Sequence, residues 1–541
     1  GKAKAKWNST NIQEKLAETA IDDRWYTDKV PTGYDWADRD QDVLPHATSH
    51  GMHVAGTIGA NGTDEVDRVT GIAPDVQILA EKVFSDYWNG AFADDIIAGI
   101  NHAVEMDADV INMSLGTDGA FVDEEDPIQK AVRTATENGV LVVAAGGNAY
   151  YSTKSGSTKY NHPAYAQNPD IGVVGAPGSS PYALQVASYE NDKIHMDTLT
   201  LPDGKPLIYK RHAGYVQMAD VFAPGEEIEL VYVGYGSTQD FTGKDVNGKI
   251  VVAEQQFVGS EQFIQNPAYQ REAKGVIMVP LAEQGDYAKL LFSPYGNVPG
   301  VSIQIAEGKA LIQRLKDGEK IKVKVGKGTL IDNKNKGTMS GFSSYGAPHT
   351  LDFKPEITAP GGKIYSTVMD NKYDTYSGTS MASPHVAGAG ALVLQSLYEK
   401  GVTRGTDAIY RAKTALMNTA QILMDPTTES KIPYSPRKQG SGMMQIANAL
   451  KTPVLVKDKF AKPENAAAVE LKEIKQDKVK FMLEVEALAG KSSPEEITYD
   501  VYLDLLTDDT EQKELDLNRD GKIDKTMEVL KLTSKRIEGA T

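Results

Sequence analysis

The chain has 541 residues, 40% hydrophobic and 24% charged, with a formal net charge of −17 at pH 7. These are values of globular domains, so a disordered or collagen-like chain is excluded, and the acidic balance argues against a general nucleic-acid binder. Cysteine is absent, which removes disulfides and thiolate metal sites, and the longest apolar run, Val386 to Leu394, is too short to span a membrane.

Length alone suggests about three or four domains. The chain opens at Gly1 without a signal peptide and stops in charged sequence at Thr541. It is therefore expected to be a fragment, and its targeting is unread.

Residues 1–49 are polar, with one helix expected around Thr10–Ala20. Buried strands follow at Val76–Phe84, Val110–Leu115 and Val140–Ala145, separated by helices at Asp94–Met106 and Pro127–Asn138. Such alternation implies an α/β fold, a doubly wound, mostly parallel sheet covered on both faces.

From about Asn191 to Lys336 the pattern becomes β-rich, with runs at Glu227–Val233, Lys249–Ala253, Gly275–Val279 and Lys320–Val325 between Asp-Gly and Asn-Gly turns. The first pattern then resumes with Glu356–Ala359, a long helix from about Ser380 to Glu399, and Asp407–Asn418. Residues 191–336 thus read as a domain inserted between residues 1–190 and 337–452. After Pro453, Val454–Val456, Val479–Val485 and Tyr499–Leu506 suggest a small β-sandwich over 453–541, expected to be cut short.

Three strings carry chemistry. In Ser49-His50-Gly51-Met52-His53-Val54-Ala55-Gly56, His50 stands at a helix mouth, which disfavours the protonated ring and suits a base. His46, His50 and His53 also have helical spacing, but no Glu or other carboxylate completes a metal set. In Gly378-Thr379-Ser380-Met381-Ala382-Ser383-Pro384-His385, Ser380 falls in the first turn of an apolar helix. Its own N–H is there free to face an oxyanion. A plain helix-capping serine, with Pro384 in the first turn, is the simpler reading of that string alone. Ala144-Ala145-Gly146-Gly147-Asn148 ends an apolar strand, where an Asn amide can serve an oxyanion or simply occupy a turn.

Together, in this order, the three strings resemble the subtilisin-like serine peptidases, the subtilases. The resemblance covers about residues 25–190 and 337–450 and implies His50 as general base, Ser380 as nucleophile and Asn148 as oxyanion donor. Met113-Ser114-Leu115-Gly116 resembles the edge segment that pairs with substrate backbone. His53 and His385 match structural positions. Val231 through Lys249-Ile-Val-Val resembles a protease-associated (PA) domain. Phe342-Ser-Ser-Tyr-Gly and Lys354-Pro-Glu-Ile-Thr-Ala-Pro-Gly resemble the return to the catalytic domain. The region after Pro453 is similar to a fibronectin-III-like domain. With Ser435-Pro-Arg-Lys-Gln-Gly-Ser-Gly, these features point to the lactocepin and C5a-peptidase-like cell-envelope proteinases of Gram-positive bacteria.

The resemblance implies a serine endopeptidase acting on proteins, extracellular and either cell-wall-associated or secreted, with no organic cofactor. The rival reading is a non-catalytic binding or adhesion module that keeps the fold. One part departs from the pattern. The family's triad Asp follows an apolar strand and precedes Gly, and none of Asp22, Asp23, Asp28, Asp35, Asp38, Asp40 or Asp42 does so. Gly33 to Asp38 instead resembles the connection between the Asp turn and the His helix. The Asp is therefore expected upstream of Gly1, on a companion N-terminal chain or segment, and the isolated chain is expected to be nearly inactive. Near the C-terminus, Asp516, Asn518, Asp520 and Asp524, with Gly521, are spaced like an EF-hand-type calcium loop. Met527 stands where the last Glu is expected, so Ca²⁺ binding and a plain hairpin turn are both open.

Overall fold

The computed structural model describes the chain except residues 1–4, 20, 63–67, 89, 155–161, 213–215, 294–297, 429–431, 489–503, 519 and 538–541. Its contacts divide into two units, residues 1–192 with 333–541, and residues 193–332.

The first unit begins with α1 (Ile12–Glu18), β1 (Gly33–Asp35), α2 (His50–Gly59), β2 (Ala80–Lys82), α3 (Ala93–Glu105), β3 (Val110–Met113), α4 (Pro127–Glu137), β4 (Leu141–Ala145) and β5 (Ala183–Glu190). It resumes with β6 (Ile357–Gly362), β7 (Ile364–Val368), β8 (Lys372–Tyr376), α5 (Thr379–Glu399), α6 (Thr406–Asn418) and α7 (Pro436–Gln439). Strands β6, β5, β4 and β3 pair in that order, all parallel. Every residue of β4 is buried, as the interior of a parallel sheet between helices requires.

Local chemistry fixes the elements. Asp126 caps α4 by accepting from the Gln129 N–H at 2.9 Å, and Pro127 opens the helix. Helix α5 buries Met381, Val386, Val393 and Leu397, each contributing roughly 1.5–3 kcal/mol. Gly56 lets α2 lie against β7, since a Cβ there would stand 2.1 Å from Thr367 Oγ1.

The strand expected over Val76–Phe84 is only three residues long. Strands β1 and β2 form a separate parallel ladder, and β2 is not bonded to β3. Among the described residues, β3 therefore ends the four-stranded sheet, and three of its four residues are only half-buried.

In the second unit, eight strands run from Lys193–Thr200 to Thr329–Asp332. Lys322–Val325 pairs with both Ile228–Tyr232 and Lys193–Thr200, which closes the sheet on itself. Alternate residues feed two cores. Ile250 and Val252 join one, with Leu311 and Ile312 of the helix Ile305–Lys316, while Val251 and Ala253 join the other.

After Pro453 the described residues hold two separate antiparallel ladders rather than two facing sheets. One joins β9 (Val454–Asp458) to β10 (Leu483–Ala487), and the other joins β11 (Leu506–Leu515) to β12 (Lys525–Arg536). The strand expected at Tyr499–Leu506 lies largely outside the described residues. The second ladder packs on the loops after β4 and before β6: Leu530 donates to the Ala164 carbonyl, and its side chain joins Tyr151 and Tyr345 in one cluster.

Candidate active site

Ser380 is the second residue of α5, after Gly378 as the cap. In that first turn no carbonyl four residues back lies within the helix, so its N–H is left for an outside acceptor. Pro384 falls in the second turn rather than the first and has no N–H to give the Ser380 carbonyl. The Ser114 hydroxyl takes that place at 2.7 Å. In return the Ser380 hydroxyl donates to the Ser114 carbonyl at 3.2 Å. A proline in the helix thus ties the serine to the segment after β3.

Asn148 follows β4 through Gly146 and Gly147, the latter at a φ of 104° that favours glycine. Its Oδ1 accepts from the Thr379 N–H at 2.9 Å and the Thr379 hydroxyl at 3.0 Å. With Oδ1 engaged on that side, Nδ2 remains as donor toward the cleft that Asn148 and Ser380 both line. The Gly147 N–H donates to the same Thr379 hydroxyl at 3.1 Å. Thr379 was not singled out from sequence, although it stands beside Ser380 in the same string. Asp118 was also missed: it accepts from the Asn148 backbone N–H, and burial pushes its carboxyl up.

His50 is the first residue of α2 and lines the same cleft. Burial lowers its pKa, and no charged group contributes to the shift. None of the aspartates of residues 1–49 acts on it. Asp42 pairs with His46 at 3.0 Å, and Asp23 with His102 at 3.1 Å. His53 is fully buried, stacked on Tyr376 and bonded to the Ile364 carbonyl at 3.0 Å; burial takes it down to about 4. His385 Nδ1 donates to the Met381 carbonyl one turn back. Both are held in structural contacts.

Ser114, Leu115 and Gly116 line the cleft beside Ser380. Met113 lines its inner wall but is only 3% exposed, packed in the core of α3 and α4. The cleft continues inward as a cavity of about 1840 Å³. One side is β2 and the other β3; Ile96 and Ile100 of α3, Ile58 of α2 and Leu394 of α5 also line it. The hydroxyl of Tyr398, another lining residue, is buried without a hydrogen-bond partner. Strands β2 and β3 are not bonded to each other, and the space they flank is a slot also lined by residues of α2, α3 and α5.

Asp516, Asn518, Asp520 and Asp524 lie in the turn between β11 and β12, outside the cleft. Asp516 accepts from the N–H groups of Asp520 and Gly521, and Asp524 from those of Leu517 and Asn518. Among the described residues the close carboxylate trio is a different one, Asp35, Asp38 and Asp86. The Lys82 ammonium balances it, bonding Asp35 at 2.6 Å and Asp86 at 2.5 Å.

The sequence model of the Subtilase family matches residues 5–442. The chain is 34% identical over 463 residues to a PII-type proteinase of Lacticaseibacillus paracasei, covering 81% of this chain and 24% of the relative. It is 31% identical over 509 residues to a C5a peptidase of Streptococcus pyogenes, covering 92% of this chain and 41% of the relative. To the minor extracellular protease Vpr of Bacillus subtilis it is 32% identical over 450 residues, 78% and 49% of the two chains. The chain thus spans between a quarter and half of the length of these curated relatives. No described helix is long and apolar enough to cross a membrane. By the extent of the match and the motifs that carry it, the chain belongs to the subtilase family.

Proposed function

We propose that this chain supplies the nucleophile, base and oxyanion donors of a serine endopeptidase that cleaves proteins. Ser380 attacks the scissile carbonyl while His50 takes its proton and returns it to the leaving amine. The Ser380 N–H and Asn148 Nδ2 hold the oxyanion. The observation that carries the reading is the pair of hydrogen bonds that the Thr379 N–H and hydroxyl donate to Asn148 Oδ1, which leaves Nδ2 to donate beside Ser380. The test is labelling by a serine-directed fluorophosphonate. Ser380→Ala is expected to abolish it in the complete enzyme, and persistent labelling refutes the assignment.

We place the triad carboxylate on an additional strand in the slot between β2 and β3, from a companion segment upstream of Gly1. Three features support this. Among the described residues no carboxylate acts on His50 and β3 has no outer neighbour, and the slot is lined by apolar helix residues. A parallel strand there would satisfy the open edges and deliver its C-terminal end toward α2. Without it the chain is expected to turn over slowly.

Residues 191–336, which contain the second unit, act as a PA-like module, and the ladders after Pro453 belong to a fibronectin-III-like domain over 453–541. The relatives' types suggest an extracellular or cell-envelope location. Ca²⁺ binding at Asp516–Asp524 rests on the oxygen spacing; calorimetry with calcium alone tests it, and an Asp520→Ala chain that binds as the parent does removes it.

A further inference from the structure

The loop that carries Asn148 is braced by a distant segment. Ser344 donates its N–H to the Gly147 carbonyl at 3.1 Å, and its hydroxyl accepts the Ala149 N–H at 3.0 Å. Tyr150 donates to the Phe342 carbonyl at 3.0 Å and accepts from the Tyr345 N–H at 2.7 Å. Tyr150 sits at a φ of 60°, a conformation a tyrosine adopts only when its surroundings hold it there.

Two cations meet these side chains: Lys154 Nζ lies 4.5 Å from the ring centre of Tyr150, and a second ammonium is buried among the rings. Lys438 of α7 is 6% exposed, and its Nζ lies 4.9 Å from the ring centre of Tyr150, 5.0 Å from Tyr345 and 5.9 Å from Tyr434. The three rings come from three segments: the loop after β4, the brace at 342–345 and the chain entering α7. The neighbouring Arg437 bonds the carbonyls of Gly346 and Pro169 and the carboxylate of Asp508 in β11. A buried ammonium is costly to desolvate, and an apolar side chain would fill the same space without that cost.

We propose that Lys438 is a positioning residue for Asn148, locking the oxyanion loop through its tyrosine cage. This rests on the reading of Asn148 as an oxyanion donor. The ammonium must be charged to engage the rings. Burial lowers Lys438 to about 8, with Asp425 acting in the opposite sense and Lys154 in the same one. Burial raises the hydroxyls of Tyr150, Tyr345 and Tyr434, so they stay neutral in that range. The cage therefore loosens as pH rises through about 8.

The experiment is a double-mutant cycle in the full-length enzyme, read as kcat and KM on a peptide substrate. Asn148→Ala is expected to lower kcat about a hundredfold or more. Lys438→Met is expected to lower kcat about tenfold with KM unchanged, and the double variant to be no slower than Asn148→Ala alone. Lys438→Arg should restore kcat and flatten the wild-type decline above pH 8, because the guanidinium stays charged. Should Lys438→Met not fold, Tyr434→Leu replaces it. Opening the cage there should lower kcat and move the alkaline limb to higher pH. Losses that multiply in the double variant, or a lowered melting temperature with unchanged kcat, overturn the proposal. If Asn148→Ala itself is silent, the oxyanion reading fails first, and the two failures are told apart.

Discussion

Thr379 aims Asn148: its amide and its hydroxyl both donate to the same oxygen, at 2.9 and 3.0 Å, and so decide which end of the carboxamide faces Ser380. The residue is fully buried, and the two partners are 231 positions apart in the chain.

Thr379→Val keeps the shape and the N–H but deletes the hydroxyl, which also accepts from Gly147. One hydrogen bond of this kind is worth about 0.5–1.5 kcal/mol, so kcat should fall by roughly three- to tenfold while KM holds. Steady-state kinetics on the enzyme with its catalytic unit complete measures this. A rise in KM at constant kcat would mean that Thr379 serves ground-state binding instead.

The slot between β2 and β3 makes a second prediction. A segment supplying an apolar strand and the carboxylate should raise turnover of this chain by about four orders of magnitude. The same addition should protect the amides of Val110 and Asn112, which face away from β4 on the open edge, from hydrogen exchange. Protection without activity would place a strand in the slot but deny it the catalytic Asp.

The local setting of His50, Ser380 and Asn148 was legible because each string is local. A histidine at a helix mouth, a serine in a first turn and an Asn after a buried strand are all set by neighbours within a few residues. What sequence did not reveal joins distant segments. The partners of Ser380 and Asn148 lie more than 200 positions away at Ser114 and Thr379, and Tyr150 meets Lys438 across nearly 290. The length of β2 was overestimated for a related reason. Val76–Leu79 has the composition of a central strand, but a central strand needs a partner on each edge, and here β3 is not bonded to it. After Pro453, alternating residues gave strands correctly at Val454–Val456. They could not say that β11 and β12 would pack on the loop at Ala164 rather than on the other ladder.

Glu356 supports a third prediction. It is buried between two buried lysines, 2.8 Å from Lys354 Nζ and 2.5 Å from Lys413 Nζ, and it also accepts the Gln185 N–H. The remaining lysine contacts are backbone carbonyls, those of Ser180 and Ala183 for Lys354 and of Pro181 and Glu464 for Lys413. Glu356→Gln leaves two cations without a counter-charge under the β5–β6 ladder, at a cost of about 3–5 kcal/mol. Urea unfolding should show a lower midpoint at constant slope. A midpoint unchanged within error would show that the carbonyls suffice.

The last prediction concerns His102, whose buried ring bonds Asp23 at 3.1 Å through Nε2 and Glu81 at 2.9 Å through Nδ1. Both ring nitrogens face carboxylates, so both donate and the ring is an imidazolium. Burial opposes that charge, but the hydrogen bonds to Asp23 and Glu81 and their charges outweigh it and raise the pKa to about 10. The folded value lies above the ordinary 6.5, so the folded state binds the extra proton. The stabilisation is fully present below pH 6.5 and is lost as pH rises toward about 10. The contact ties residues 22–24 to α3 and to β2, where Trp36 also bonds Glu81 at 2.7 Å. His102→Gln can still donate one hydrogen bond but cannot carry the charge. It should lower stability at pH 6 and remove the decline between pH 6.5 and 10 expected of the parent protein. Denaturant midpoints across that range decide it. Parallel curves for the two proteins would mean that the ring is neutral and that one carboxyl holds the proton instead.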